Sequence, residues 1–299
     1  MLVVSHLDHS DLQPLSRGVI SIGNFDGVHL GHRMLLQHMQ DTAMQQGLSS
    51  LIISFQPPSK SVFQGVPFLS SADEKLRLLQ AFAPDAVVMI PFSHDYAKTD
   101  KQVFIDNLQA LQPQHIIVGE DFRFGHRRSG TLNDLSAITG HLEVFGLKKL
   151  GDTAIKSSHI RQLLQQGDVA AAQRFLGYSY SAGGQVIRGQ QRGRQLGFPT
   201  ANLDIPSGKA LPLGVFAVWV TAAAGRFAAM ANVGPRPSFP EEPPALEVHL
   251  LDFEGDLYGQ VLEVEFQHFL RGQQRFAGLD ALRAQLSADS LQARQLLQP

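Results

Sequence analysis

The sequence predicts an α/β half, a Rossmann-like domain on a parallel sheet, followed by an all-β half, a small antiparallel barrel with a C-terminal helix. Three observations predict it. Apolar, β-branched runs alternate with helical patterns through the first half. Short strands separated by turns at even spacing take over from Gly183 onward. A length of 299 residues suits about two domains.

The strand-like runs of the first half are Val19–Gly23, Leu51–Phe55, Ala86–Ile90 and His115–Gly119, with a weaker one at Leu142–Phe145. Helical patterns lie between them, at Met34–Met44, Ala72–Phe82, Lys101–Leu111 and Thr131–Thr139. Ligands of such sheets bind beyond the carboxyl ends of the strands. The segments Gly23–His32 and Gly119–Arg128 both follow strands and both reach that edge. Two more helical patterns follow, Ser158–Gln166 and Asp168–Leu176. The barrel strands are expected at Gln185–Arg188, Gly214–Val220, Arg226–Asn232, Ala245–Leu251 and Gln260–Phe266, and a last helical stretch at Gln274–Leu297. The domains are therefore expected at 1–180 and 181–299.

A formal charge of −2 supplies no basic face for nucleic acid. Small anions would have to be met by local groups. Cysteine is absent, which excludes disulfides and thiolate metal sites. No basic segment followed by an apolar core stands at the N-terminus, so no secretory signal is expected. The longest apolar stretch, Leu211–Ala224, is interrupted by Pro212, Gly214 and Thr221 and falls short of the ~20 residues of a membrane span. A cytoplasmic protein is expected.

Chemistry concentrates first in Gly23-Asn24-Phe25-Asp26-Gly27-Val28-His29-Leu30-Gly31-His32. A strand, a glycine-rich turn and a helix start make a phosphate site. Gly23, Gly27 and Gly31 let the backbone approach an anion closely, with Asn24 in the same turn. His29 and His32 form the H-x-G-H pattern of nucleotidylyltransferases, and their imidazoles supply donors for charge developing on an α-phosphate and its departing pyrophosphate. A helix start carrying two surface histidines fits the same residues. Ile155-Lys156-Ser157-Ser158-His159-Ile160-Arg161 joins hydroxyls to a cation at another helix start. Ser157 or Ser158 suits a cap, and Arg161 suits a phosphate; an ordinary capped surface helix reads the same way. Gly119–Gly125 offers carboxylates and aromatics for an adenosine or a flavin ring, or is a structured loop.

The second concentration is Gly193-Arg194-Gln195-Leu196-Gly197-Phe198-Pro199-Thr200-Ala201-Asn202. Gly193 and Gly197 permit a loop that hugs a phosphate. Thr200 and Asn202 offer neutral oxygens to Mg²⁺, which otherwise keeps waters and substrate phosphates. The segment lacks the Gly-Lys-Ser/Thr ending of a Walker A loop. Strand alternation puts Glu247 on the face opposite Leu246 and Val248. There it is a solvated carboxylate or, beside a substrate hydroxyl, a general base.

In their order and joint presence these segments resemble the bacterial bifunctional riboflavin kinase/FAD synthetase (FMN adenylyltransferase) family. The resemblance runs from about Gly18 to about Leu282 and includes Val118–Gly125, Asn232-Val233-Gly234-Pro235-Arg236-Pro237 and Leu246–Gly259. It implies a kinase barrel that phosphorylates riboflavin to FMN and an N-terminal domain that adenylylates FMN to FAD, each using ATP and Mg²⁺. It also implies residue roles. Thr200 and Asn202 would hold metal and phosphates, Glu247 would deprotonate the flavin hydroxyl, and Asn232 and Arg275 would lie about the flavin. His29 and His32 would serve adenylyl transfer, with Ser157, Ser158 and Arg161 on phosphates.

The chain departs from the family pattern in places. A usual Phe-Glu-Pro-His-Pro run reads Phe55-Gln56-Pro57-Pro58-Ser59 here, Lys156 replaces a usual serine, and Ser158 replaces a usual threonine. The first departure also suits another protein, a kinase or flavin-binding regulator with a degenerate adenylyltransferase half.

Overall fold

Runs of Val and Ile buried on both sides make the central strands of the first half, as expected of a parallel sheet covered by helices. The computed structural model describes residues 1–8, 10–189, 193, 196–234 and 245–298. Arg194 and Gln195 of the second glycine segment and positions 235–237 lie outside them. The chain divides into two compact units, Met1–Ser157 and Ser158–Pro299.

In the first unit the strands are β1 (Leu2–Val4), β2 (Val19–Ile22), β3 (Ser50–Gln56), β4 (Ala86–Pro91), β5 (His115–Gly119) and β6 (His141–Phe145). They form one sheet in the order β1-β4-β3-β2-β5-β6, and every neighbouring pair is parallel. The chain leaves β2 towards β3 and β4, then returns to place β5 on its other side. The order therefore reverses between β2 and β5, and a crevice opens at such a switch point beyond the strands' carboxyl ends. Helix α1 (Leu30–Gln46) follows β2. Helices α2 (Ser59–Gln64) and α3 (Ala72–Gln80) follow β3, α4 (Lys101–Ala110) follows β4, and α5 (Leu132–Ser136) precedes β6.

Successive residues of β2 serve the two faces of the sheet. Ile20 and Ile22 join one core with Leu51, Ile53, Val88 and Ile116. Val19 joins the other with Leu36, Met39, Ile52 and Ile117. Full burial of each such side chain contributes about 1.5–3 kcal/mol, so the strand that presents the glycine-rich turn is held from both sides.

A two-stranded hairpin, β7 (Lys149–Leu150) and β8 (Thr153–Ala154), precedes α6 (Ser157–Gln165) and α7 (Val169–Leu176). The second unit is a closed antiparallel barrel of β9 (Ser181–Ile187), β10 (Ala201–Asp204), β11 (Gly214–Ala222), β12 (Gly225–Gly234), β13 (Ala245–Leu250) and β14 (Val261–Arg271), in the order β10-β13-β12-β11-β14-β9. Helix α8 (Leu279–Leu296) packs Ala293 onto its outside, against Ala217, Met230 and Leu251.

Several elements differ from the sequence reading. Strand β1 and helix α2 are additions. Asn202 lies on a strand, β10, where a loop was expected. Helix α8 starts at Leu279, after the expected Gln274, which leaves Arg275 in the exposed segment ahead of it. The division between the units precedes the change of sequence texture near residue 180. Gly167, between α6 and α7, sits so close to Leu213 and Phe269 that a β-carbon there would come within 2.9 Å of the Phe269 ring. The two helices therefore pack with the barrel.

Candidate active sites

At the end of β2 the chain turns through Asn24–Val28 into α1. Gly27 has φ 77°, in the left-handed region that glycine adopts without strain. His29 is the N-cap of α1, and its Nδ1 accepts the backbone N–H of His32 at 3.3 Å. With Nδ1 accepting, the proton of neutral His29 sits on Nε2, which becomes a donor. The His29 and His32 rings stack with centroids 3.6 Å apart and planes 14° from parallel. Phe25 meets His32 edge-on at 5.3 Å. A β-carbon at Gly31 would stand 3.4 Å from the His29 imidazole, and one at Gly23 would stand 2.9 Å from the Phe25 ring.

Buried polar groups hold this turn from behind. Asp26 is 3% exposed, and its Oδ1 accepts the N–H groups of Leu69 at 2.8 Å and Ser70 at 3.3 Å. The Ser70 hydroxyl accepts from the N–H of Gly27 at 3.1 Å. Lys75, fully buried on α3, donates to the carbonyl oxygens of Asn24 at 2.9 Å and Phe55 at 2.7 Å. Burial lowers the Lys75 ammonium to about 8, and Asp26 partly opposes that shift. Burial also holds the His32 imidazole well below its usual value of 6.5, with His29 and Lys75 adding to the effect. The His32 Nδ1 is buried with no hydrogen-bond partner. Two aromatic donors thus sit at the N-terminal, electropositive end of a helix, in a setting that keeps His32 neutral at pH 7.

Gly23, Asn24, His29, Gly31, His32 and Ser157 come together in the first unit. Ser157, the first residue of α6, donates its hydroxyl to the Asp26 carbonyl at 3.0 Å. Ser158 is exposed and Arg161 half-buried further along α6, in the second unit. Gln56, in the departing segment, donates Nε2 to the Ser70 carbonyl at 3.4 Å. Lys75 and Ser70 were not among the candidates read from the sequence. A signal existed for Lys75, which stands four residues before the buried Leu79 and so lies on the inward stripe of α3.

The barrel assembles a second set. Asn202 on β10 pairs in register with Glu247 on β13, and Glu247 pairs with Asn232 on β12. Directly opposed residues share a face, so the three polar side chains form one row. The flanking Ala201, Leu203, Ala231, Val233, Leu246 and Val248 are buried, which places the row on the outside of the barrel. Gln273 Nε2 donates to Asn232 Oδ1 at 2.8 Å and to the Val233 carbonyl at 3.0 Å. Gln273 was also missed, and it connects this row to the segment that carries the exposed Arg275. The Gly193 carbonyl accepts from Leu196 and Phe198, and a β-carbon at Gly193 would clash with the Phe198 carbonyl and stand 3.4 Å from Thr200 Oγ1. Gly197 takes φ 85°. His249 donates from Nδ1 to the Pro199 carbonyl at 2.8 Å, anchoring the chain just before Thr200.

A riboflavin kinase family profile matches residues 176–297, and an FAD synthetase family profile matches residues 12–162. The bifunctional riboflavin kinase/FMN adenylyltransferase of Escherichia coli K12 is 34% identical over 305 residues, spanning 99% of this chain and 97% of its own. The chain belongs to the bifunctional riboflavin kinase/FMN adenylyltransferase family. Members from Listeria monocytogenes and Bacillus subtilis are 32% identical over 286 residues and 31% over 303, covering 92% and 97% of this chain and 91% and 96% of their own. A crystal structure described as a macrolide-efflux protein from Streptococcus pneumoniae superposes with a TM-score of 0.86 at 27% identity, covering 98% of this chain and 99% of its own. In this bifunctional riboflavin kinase/FMN adenylyltransferase family member, the FAD synthetase match takes in the Gly23–His32 turn and Ser157–Arg161. The riboflavin kinase match takes in the Asn202–Glu247–Asn232 row and Arg275. No described helix is long and apolar enough to cross a membrane.

Proposed function

We propose that this chain makes FMN from riboflavin and ATP at the barrel, and FAD from FMN and a second ATP at the carboxyl edge of the sheet. The observation that carries the reading is the presence, within one chain matched by both families, of two separate polar constellations suited to the two transfers. The functional boundary falls near residue 180. An adenylyltransferase domain at 1–180 and a kinase domain at 181–299 are supported by the start of β9 at Ser181, five residues into the riboflavin kinase match at 176–297. The cytoplasm, where ATP is abundant, is the compartment that suits both reactions.

In the kinase reaction the 5′-hydroxyl of riboflavin attacks the γ-phosphorus of ATP and ADP leaves. Glu247 takes the hydroxyl proton, as a carboxylate held in a strand row can. Thr200 and Asn202 are the residues to hold Mg²⁺ and the ATP phosphates. Their neutral oxygens suit an ion that keeps most of its shell as water and phosphate oxygen, and Gly193 leaves room beside Thr200. When bound there, the ion would supply charge neutralisation for the transferred phosphoryl group. Gly193 and Gly197 bring backbone close to the phosphates, while Asn232 and Arg275 border the flavin.

In the adenylylation a phosphate oxygen of FMN attacks the α-phosphorus of ATP and pyrophosphate leaves. His29 and His32 donate to the oxygens on which charge builds. Gly23, Asn24 and Gly31 shape the turn, and Ser157, Ser158 and Arg161 serve the phosphates. Phosphoryl and nucleotidyl transfer depend chiefly on positioning and charge neutralisation, which this inventory supplies.

Incubation of the purified protein with riboflavin, ATP and Mg²⁺, followed by chromatography, tests the reading. FMN should appear first and FAD after it. FMN as the sole product, with added FMN also left unconverted, would favour the degenerate adenylyltransferase suggested by Gln56 and Pro58.

A further inference from the structure

Lys75 is the most deeply buried cation described in the chain, at 0% exposure. Taking an ammonium out of water costs several kcal/mol unless its donors are met. Here its three N–H donors find three acceptors: the Asn24 carbonyl at 2.9 Å, the Phe55 carbonyl at 2.7 Å and the Ser54 hydroxyl at 3.5 Å. The Ser54 hydroxyl itself donates to the Asn24 carbonyl at 3.2 Å. Asn24 opens the turn after β2, and Phe55 sits one residue before the end of β3. A single side chain on α3 thus joins the ends of two neighbouring strands at the edge where the His29–His32 turn stands. The capping box of α3 fixes where Lys75 starts from, because Ser71 Oγ accepts from the Glu74 N–H and Glu74 returns the bond to Ser71 N–H. A methionine of the same reach would fill this space without the desolvation cost. The retained charge calls for a use other than packing.

We propose that Lys75 is a positioning residue for adenylyl transfer, its ammonium clamping the turn at Asn24 to the end of β3 and setting a fixed positive charge behind the His29–His32 pair. The inference rests on the reading that this turn receives the triphosphate of ATP. Among the described residues, the titratable groups shown to feel that charge are Asp26 and His32, and His29 acts on it through the stacked His32 ring. Asp26 favours the ammonium. The ammonium disfavours protonation of His32, so the imidazole stays a neutral donor. A polyanion arriving at the turn strengthens the ammonium form in return.

The test compares both reactions of the full-length protein across pH 6 to 9.5. In the wild type, kcat/KM for FMN adenylylation should fall above about pH 8. The limb in kcat should lie higher, because bound phosphates hold the proton on Lys75. Riboflavin phosphorylation, measured in the same samples, should show no such limb. Lys75→Met should lower kcat for adenylylation by on the order of 100-fold, abolish the alkaline limb, move the acid limb upward, and leave the kinase reaction unchanged. A Lys75→Met protein that keeps adenylylation within twofold, or keeps the alkaline limb, overturns the proposal. If that variant fails to fold by far-UV circular dichroism, the wild-type profile decides, and adenylylation flat to pH 9.5 overturns the proposal. A wild type that forms no FAD from FMN at any pH strikes the adenylylation reading itself, and the role of Lys75 falls with it.

Discussion

Asn202 stands directly opposite Glu247 across β10 and β13, and the same glutamate stands opposite Asn232 across β13 and β12. One carboxylate is therefore flanked by two amides on the outer face of the barrel. Glu247→Gln preserves the shape and removes the proton acceptor. Riboflavin phosphorylation should fall by about 10²- to 10⁴-fold, while FAD formation from supplied FMN stays near the wild-type rate. Parallel assays with riboflavin and with FMN check this, and equal loss of both activities would contradict separate sites.

The stacked pair at the other site should behave in the opposite way. His29→Ala removes the N-cap acceptor of α1 and one donor. Adenylylation of FMN should drop by about 10²- to 10³-fold, read as pyrophosphate release, with the kinase reaction intact. Unchanged FAD formation would remove His29 from the mechanism.

His32 carries a consequence for stability as pH falls. Its folded-state value lies well below 6.5, first because of burial and then because of His29 and Lys75. Below about pH 6.5 the unfolded chain binds a proton that the folded chain refuses, so stability decreases as pH is lowered towards the folded value. The slope is at most ~1.4 kcal/mol per pH unit for one such group. After division by the intrinsic exchange rate, the protection of α1 amides should fall between pH 7 and 5, and His32→Asn should flatten that dependence.

Arg271 and Asp289 tie β14 to α8 through two-pronged contacts, with Arg271 Nη2 2.8 Å from Asp289 Oδ2 and side chains only 14% and 2% exposed. Gln285 adds a bond to Asp289 at 2.8 Å. Asp289→Ala leaves a largely buried guanidinium unpaired and should cost about 3 kcal/mol, whereas the pair Arg271→Met/Asp289→Leu should recover most of it. Fluorescence of the single tryptophan, Trp219 on β11, reports unfolding of the barrel in each variant.

Removal of divalent cations with EDTA should abolish both FMN and FAD formation, and Mg²⁺ should restore both. Thr200→Ala should then raise the Mg²⁺ concentration needed for half-maximal kinase rate about tenfold, leaving the requirement of the adenylylation unchanged. An identical Mg²⁺ response in the variant and the wild type would take Thr200 out of the metal site.

Local chemistry was legible in the residues themselves. The Val19–His32 stretch declared a strand, a turn and a helix start because β-branched residues favour extended backbone and glycine permits the turn within a few positions. The alternating elements declared the parallel sheet, and the even spacing of short strands declared the barrel. Less was legible where a few residues answer to distant partners. β10 is only four residues long, and Asn202 became a strand residue because β9 and β13 pair with it on either side. Helix α8 begins late, although Gln274, Arg275 and Phe276 suit a helix, since Gln273 is held by hydrogen bonds to Asn232 and Val233. Ser157 donates its hydroxyl to the Asp26 carbonyl, a partner 131 residues away in the sequence.

By itself, then, the sequence determined the succession of elements, the two glycine-bearing turns and the kinds of donor and acceptor each carries. Only the tertiary structure decided that Glu247 lies between two asparagines, that His29 stacks on His32 with a buried lysine behind them, and that α6 and α7 pack with the barrel. Backbone preference acts over a few neighbouring residues. Proximity between distant ones is set by strand register and by burial, which depend on the whole chain closing at once.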